Sequence, residues 1–385
     1  MKLKLIEYSE EIDQKLLNLF YQSIFYKKKE FEYVRVPNNW IYRYKMADNY
    51  VIKIVEFNRD IIASLGALIR FGKVDGDIVK IGCFIDNCIL PKYFNKYNEI
   101  FKILFKEVEN ELKDRNVKIL CGWEFLNNFK NHIDLFKTLG FKWVEGINWF
   151  SSAIPSSGKY PFLWKTKINI FWKLFFKLFS YYNKIKSELI ETLPDDIVLR
   201  YMRQSDIKNV CETINQLSTN IEFASFYYYH EFKKIIKNNN IHGIIAEKDS
   251  EIVGVMTFVT SAWSGWMFGK PFYNNNWQIF YGFTPDEFLI SDNYKNSTIP
   301  SHMLKLLMNL DSTNYNFVAN VFDRRLEWRK KACLNLGFVE PKFDRGVILA
   351  KTLAENININ PNKCWHLPAR CIIAPVPLTK NIFKI

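Results

Sequence analysis

Asn127 to Phe141, NNFKNHIDLFKTLGF, reads as a helix handing over to a strand. Leu135, Phe136 and Leu139 fall at helical spacing, Gly140 stands where a helix ends in a left-handed residue, and Phe141-Lys142-Trp143-Val144 continues as an extended run. Far along the chain, Arg329 to Phe338, RKKACLNLGF, repeats the order helix, Gly, Phe. A unit that occurs twice points to a duplicated fold.

The 385 residues are long enough for two such copies, and 48% hydrophobic content with 17% aromatic supports substantial cores. Lys and Arg number 53 against 40 Asp and Glu. The formal charge of +13 favours polyanions, whether nucleic acid, an acidic membrane surface or a phosphorylated ligand. The cysteines, Cys83, Cys88, Cys121, Cys211, Cys333, Cys364 and Cys371, form no CxxC pair and have no histidine at metal-ligand spacing. Buried thiols in a reducing compartment, and no metal, are therefore expected. The opening MKLKLIEYSEEIDQ is charged and lacks the apolar core of a signal peptide, which gives a cytoplasmic expectation.

Lys2 to Tyr8 alternates like a first strand, and Ser9 is an N-cap for a helix from Glu10 towards Tyr26 with Leu16, Leu17, Phe20 and Ile24 on one side. The segment around Pro37-Asn38-Asn39-Trp40 is a turn or loop. Val51 to Phe57 and Ile61 to Phe71 read as strands joined through Asn58-Arg59-Asp60, and a third runs from Ile78 to about Leu90 after Asp75-Gly76-Asp77. Pro91 closes it. Tyr93 to Lys113 is a helix with Ile100, Ile103, Leu104, Val108 and Leu112 as its apolar stripe, and Val117 to Phe125 is the strand that leads into the opening stretch.

From Ile197 the order begins again. A strand to Met202, a helix from Ser205 to Leu217 and a helix from Phe232 to Asn238 precede a hairpin, His242 to Lys248 and Ile252 to Thr260, turning at Asp249-Ser250-Glu251. A Trp- and Gly-rich insertion, Ala262 to Asn276, separates it from extended pieces at Trp277 to Tyr281 and Phe288 to Ser291. A helix from Ile299 to Leu310, a strand from Asn316 to Phe322 and a helix from Arg325 to Leu336 follow. The expected class is α+β: two domains, 1–155 and 195–352, each a mixed, mostly antiparallel sheet flanked by helices. An aromatic basic linker helix occupies 156–194 and an extended arm 353–385. The arm, with Cys364-Trp365-His366-Leu367-Pro368 and Pro375-Val376-Pro377, offers no chemistry to the reading.

In the linker, Lys159 to Lys186, a helix would gather Asn169, Lys173, Lys177, Ser180 and Lys184 in one polar stripe, with Phe171, Trp172, Leu174, Phe175, Leu178 and Phe179 over the remainder. It is not a spanning segment, because Lys173 and Lys177 would sit mid-bilayer at roughly 2.5–3.5 kcal/mol each. Two readings stay open: a helix packed between the domains, or one lying at a membrane interface through 165–186.

With the strand order in hand, the two halves resemble the GNAT superfamily of acyl-CoA-dependent N-acyltransferases, in tandem. Val117 to Trp123 leading to Leu135-Phe136-Lys137-Thr138-Leu139-Gly140-Phe141 resembles the family's fifth strand, following helix and terminal Leu-Gly-Phe signature, which Leu334 to Phe338 repeats. Ile244 to Val255 resembles its second and third strands. The resemblance implies acyl-CoA, acetyl-CoA in the first instance, as co-substrate and a small-molecule amine as acceptor. An amino sugar in surface-polysaccharide synthesis is the acceptor suggested by large bacterial members.

The family's Arg/Gln-x-x-Gly-x-Gly/Ala loop uses glycines so that backbone N–H groups close on a pyrophosphate at a helix N-terminus. Here both halves depart from it. The first has Pro91-Lys92-Tyr93-Phe94-Asn95-Lys96-Tyr97-Asn98-Glu99, with no glycine, bulky rings and a repelling Glu99. The second has Lys295-Asn296-Ser297-Thr298-Ile299-Pro300-Ser301, with small polar residues in place of glycines. Lys295 would supply positive charge, and Asn296, Ser297, Thr298, Ile299 and Ser301 would form a phosphate cradle; the same residues also read as a capped helix start.

Acyl transfer needs a base for the amine and a proton source for the departing thiolate. The family's tyrosine in the last helix matches Phe136 in the first half and Cys333 in the second, and only Cys333 carries a proton. Carboxylates in suitable places are Asp86 and Glu124 in the first half and Glu287 and Asp292 in the second; solvent-facing roles compete for each. Asn127 and Asn128 would bind a pantetheine arm or cap their helix. Trp263, Trp266 and Trp277 would line a cleft or pack a loop. Two further function classes remain beside the CoA-dependent enzyme: a Fem-type transferase that takes its acyl group from aminoacyl-tRNA, and a degenerate, non-catalytic pair acting as a scaffold.

Overall fold

Two-residue turns set the register of the sheet. Asn58 and Arg59 both take positive φ (52° and 68°), as do Asp249 and Ser250 (50° and 69°), the geometry in which a tight turn matches the twist of antiparallel strands. The computed structural model describes residues 3–26, 31–33, 44, 49–153, 170–239, 241–265, 280–310, 317–339, 346–372 and 375–376. Its first half runs β1 (Lys4–Glu7), α1 (Asp13–Tyr26), β2 (Phe31–Tyr33), β3 (Asn49–Phe57), β4 (Asp60–Val74), β5 (Asp77–Ile89), α2 (Tyr97–Asp114), β6 (Ile119–Phe125), α3 (Leu126–Thr138) and β7 (Lys142–Ala153). After α4 (Ile170–Glu188) the second half runs β8 (Val198–Tyr201), α5 (Ile207–Leu217), α6 (Tyr229–Asn239), β9 (His242–Lys248), β10 (Glu251–Gly265), β11 (Phe280–Ile290), α7 (Ile299–Met308), β12 (Phe317–Asp323), α8 (Glu327–Asn335) and β13 (Gly346–Thr352). A short α9 (Ala369–Ile372) and β14 (Pro375–Val376) complete the described chain.

The fold is α+β, and among the described residues the two half-sheets join into one sheet of fourteen strands in the order β1-β3-β4-β5-β6-β13-β7-β12-β11-β10-β9-β8, with β14 and β2 on β10. The join is an exchange. β7, the last strand of the first half, pairs with β12, while β13, the last strand of the second half, pairs with β6, and the two exchanged strands pair with each other. Neither half closes its own sheet. Local alternation cannot record which edge a strand will join, so this exchange was not legible in advance.

Three local readings change. The helix expected from Tyr93 opens as a 3-10 turn, Pro91–Lys96, and becomes α-helical only at Tyr97. The pieces expected on either side of Thr284-Pro285-Asp286-Glu287 are one strand, β11, because those turn-like residues form a bulge in a continuing ladder. The arm is not laid over a surface. Ile359, Trp365, Leu367, Ala369 and Cys371 belong to the first half's core together with Val347 to Ala350 of β13. The Pro37 to Trp40 segment, Trp266 and Trp277 lie outside the described residues.

The repeated helix endings behave as read: Gly140 and Gly337 take φ of 81° and 74°. They differ in surroundings. A Cβ at Gly140 would meet nothing nearer than Lys351 at 3.9 Å, whereas one at Gly337 would meet Tyr182 at 2.8 Å and Asn183 at 2.9 Å. Gly140→Ala is expected to cost about 1 kcal/mol, the left-handed penalty alone. Gly337→Ala adds overpacking of about 1–3 kcal/mol, so its urea midpoint should fall distinctly further.

Candidate functional site

In both halves the central parallel strands part company at the same place. β5 pairs with β6 from Ile81↔Ile119 to Phe84↔Gly122, and β11 pairs with β12 only at Gly282↔Phe317 and Phe283↔Val318. Just beyond, each carries a bulge: Asp86 and Asn87 face Leu65 alone, and Asp286 and Glu287 face Thr257 alone. An inserted residue bends its strand and interrupts the ladder, so no ladder bonds join the parallel pair past that point. An acid thus stands at the mouth of a strand gap in each half.

The second gap is filled by the arm. Trp365 N–H donates to Asp323 Oδ2 at the end of β12 (3.0 Å), and His366 Nε2 bonds Glu287 Oε2 on β11 (3.0 Å). Arg370 forms an ion pair with Asp286 and donates to Tyr227 Oη; its backbone N–H reaches Asp286 Oδ1 (3.0 Å). Tyr227 Oη in turn donates to Glu287 Oε1 (3.0 Å), and Glu287 N–H donates to Thr257 Oγ1 (3.1 Å). Asp286, Glu287, Tyr227, His366 and Arg370 are all buried. Burial works to raise the Glu287 carboxyl, but the positive charge and hydrogen bond of His366 and the charge of Arg370 outweigh it and hold the group below the ordinary range. Burial pushes the Asp286 carboxyl up, against the pull of Arg370.

Behind this network Arg329 donates to Asn320 Oδ1 (3.0 and 2.6 Å) and lies against the rings of Phe288 and Phe322. Desolvation lowers its guanidinium to about 10. Cys333, the proton source read from the sequence, is fully buried, accepts from Asn320 Nδ2 (3.2 Å), and is pushed up to about 12 by burial.

The loop before α7 is spent largely on its own chain. Lys295 pairs with Asp292, Ser297 Oγ donates to Tyr294 O (2.7 Å) and accepts from Ile299 N–H (3.2 Å), and Ser301 Oγ accepts from Asn335. Thr298 Oγ1 and His302 Nε2 reach back to the carbonyls of Thr192 and Glu191. Among the described residues, the N–H groups of Asn296, Thr298 and Ser301 meet no acceptor.

The first gap is different. Asp86, at φ 54°, is buried and accepts from Tyr44 Oη (2.7 Å). Its neighbour Asn87 is only half-buried and donates to Tyr97 Oη (2.6 Å), whose ring lies 4.3 Å from that of His132. Tyr97, Trp123, Glu124 and His132 are likewise half-buried as residues. Burial, then the nearby charge of Glu124, raises the Tyr97 phenol above its ordinary value, against the Asn87 hydrogen bond. Phe136 is part of a ring stack with Phe101, Phe129 and Phe141 and holds no proton. Asn127 and Asn128 lie in the first turn of α3, with side chains outside the described set.

Of the acids read from sequence, Glu124 and Asp86 therefore share the first mouth, Glu287 is locked in the second, and Asp292 is tied to Lys295 in the loop. Tyr97, His366 and Arg370 were missed. The first looked like a bulky obstruction, and the others act only through partners far away in sequence. Among the described residues no group of His, Cys, Asp and Glu assembles as a metal site.

No protein-family model and no curated protein sequence matches the chain. Solved structures do. Saccharomyces cerevisiae N-myristoyltransferase with bound myristoyl-CoA superposes with a TM-score of 0.60 at 11% identity, covering 98% of this chain and 85% of that one. A second structure of that enzyme gives 0.59 at 12%, covering 98% and 89%. The chain has the GNAT fold. A GCN5-related N-acetyltransferase from Kribbella flavida shares it with a TM-score of 0.51 at 10% identity, over 90% of this chain and 70% of that one. At such identities the GNAT likeness fixes architecture and leaves the substrate open.

Removing Arg370 strands a buried carboxylate, so Arg370→Met should lose about 3–5 kcal/mol of stability in urea unfolding. For Glu287, a folded-state pKa below the usual value near 4.5 contributes stability above that pH and loses it as pH falls further. Acid unfolding below about pH 4.5 should accordingly be shallower in Glu287→Gln than in the wild type.

Proposed function

We propose that the chain is an acyl-CoA-dependent N-acyltransferase whose first half carries the acyl thioester in the gap between β5 and β6. The carrying observation is the difference between the two mouths: the second is bridged by Trp365, His366 and Arg370, while Asn87, Tyr97 and Glu124 at the first are only half-buried and meet no such bridge among the described residues. The GNAT fold, shared with a solved enzyme that holds myristoyl-CoA, supports the donor class.

In this reading the neutral amine of the acceptor attacks the thioester carbonyl, and the carboxylate of Glu124 takes the proton that the attacking nitrogen sheds. The C–N bond forms, the tetrahedral adduct collapses with cleavage of C–S, and the thiolate takes the proton of Tyr97 Oη. Burial keeps this phenol in its protonated form until the thiolate leaves, and Asn87 fixes its oxygen at the bulge. Asp86, held by Tyr44, orients the bulge. Acetyl is the acyl group and an amino sugar the acceptor in the finer form of the proposal, which rests on the resemblance of the repeated motifs alone. The Lys295 to Ser301 loop is the competing phosphate site, through the N–H groups of Asn296, Thr298 and Ser301.

Calorimetry with acetyl-CoA, combined with release of free thiol in the presence of amines, tests this. Tyr97→Phe and Glu124→Gln should each keep acetyl-CoA affinity while lowering turnover by about 10²-fold or more, and Lys295→Glu should leave affinity unchanged. Loss of binding in Lys295→Glu would move the site to the second half. No binding to the wild type would return the weight to the tRNA-dependent and scaffold readings.

A further inference from the structure

Over its described side chains, from Leu178 to Glu188, α4 is amphipathic the wrong way round for a helix on a water-exposed surface. Its inward side carries polar groups. Asn183 is fully buried and its Nδ2 donates to the carbonyls of Leu336 (3.0 Å) and Gly337 (2.7 Å), closing the end of α8. Ser187, also buried, accepts from Lys305 through its carbonyl (2.6 Å). Its outward side carries the apolar ones: Leu178 is 59% exposed, Tyr181 63%, Tyr182 45%, Ile185 38% and Leu189, in the turn that continues the helix, 72%. At 3.6 residues per turn these five fall within an arc of about 100°.

The rotation of the helix is not free to correct this. Turning the apolar arc inward would take Asn183 off two carbonyls that have lost their helical partners. Gly337 permits the close approach, with Tyr182 and Asn183 where its side chain would be. The helix is therefore held with its greasy side to solvent by hydrogen bonds that specify that orientation. Leu334 and Val339, on either side of Gly337 in sequence, are exposed as well.

We propose that this face seats the protein on an anionic lipid bilayer, with α4 lying in the plane of the headgroups. Charge and composition select that occupant over a second protein copy. The helix Ile170–Glu188 contains four lysines, Lys173, Lys177, Lys184 and Lys186, against the single acid Glu188, within a chain of formal charge +13. Tyrosines with lysines beside an aliphatic arc match the headgroup boundary, where ring hydroxyls and ammonium groups stay wet while the carbon skeletons are buried. Lys186 already lies over the Tyr182 ring, 5.8 Å from its centre. No described helix is long and apolar enough to cross a membrane, so the contact is one of lying on the surface.

The full-length protein should co-sediment with phosphatidylcholine vesicles containing about 30% phosphatidylglycerol, and less with pure phosphatidylcholine. The triple variant Leu178→Gln, Ile185→Gln, Leu189→Gln changes only exposed positions and should retain its circular dichroism and melting point. Its partition onto the anionic vesicles should fall at least about tenfold. Equal sedimentation of variant and wild type would overturn the proposal, as would wild-type protein that does not pellet with either vesicle. A wild-type dimer that the triple variant dissolves, with no lipid binding in either, would assign the face to a second copy and overturn it too.

Discussion

The ion pair of Arg370 with Asp286, reinforced by His366 on Glu287, is the constraint on which the arrangement of the two halves depends. Both acids sit at a bulge of β11, in a low-dielectric setting where an unpaired carboxylate is expensive. Their partners come from a segment that also supplies Trp365, Leu367 and Cys371 to the first half's core. One stretch of chain thus neutralises the second half and completes the first. The exchange of β7 and β13 does the same thing with backbone hydrogen bonds, and the two devices together make a single sheet from a duplicated plan.

A duplicated fold begins with two equivalent strand gaps, and the arm removes the equivalence. In the second half the gap is occupied by the chain itself, and the loop before α7 is tied to Asp292, Thr192 and Glu191. In the first half a hydroxyl, an amide and a carboxylate stand half-buried about the corresponding bulge: Tyr97, Asn87 and Glu124. The linker helix adds a third asymmetry, since Asn183 closes the end of α8 with Gly337 while the matching Gly140 meets only the Lys351 side chain at van der Waals distance.

Much of the fold was legible because it is written in short-range chemistry. Asn58 and Asp249 announced their hairpins as residue types that accept positive φ, and Leu-Gly-Phe announced both helix endings. What failed to show was whatever depends on distance along the chain. Pro285 with Asp286 and Glu287 looks like a turn until a ladder on both sides holds it as a bulge. His366 and Arg370 look like tail residues until they meet acids some eighty positions away. Tyr97 was visible but misread: a ring that seems to obstruct a phosphate loop is hydrogen-bonded to Asn87 at the mouth of the gap. Asp86, Glu124 and Glu287 were found by their place near strand ends, but the sequence held nothing to say which would be locked and which left open.

Amide hydrogen exchange on the intact protein, with and without acetyl-CoA, tests the central claim most directly. If the arm leaves only the first half competent, added acetyl-CoA will slow exchange in residues 87–99 and 119–130 and leave 292–303 unchanged. Protection of 292–303 with none at 87–99 would contradict it, and would mean that the arm leaves the second gap when the cofactor arrives.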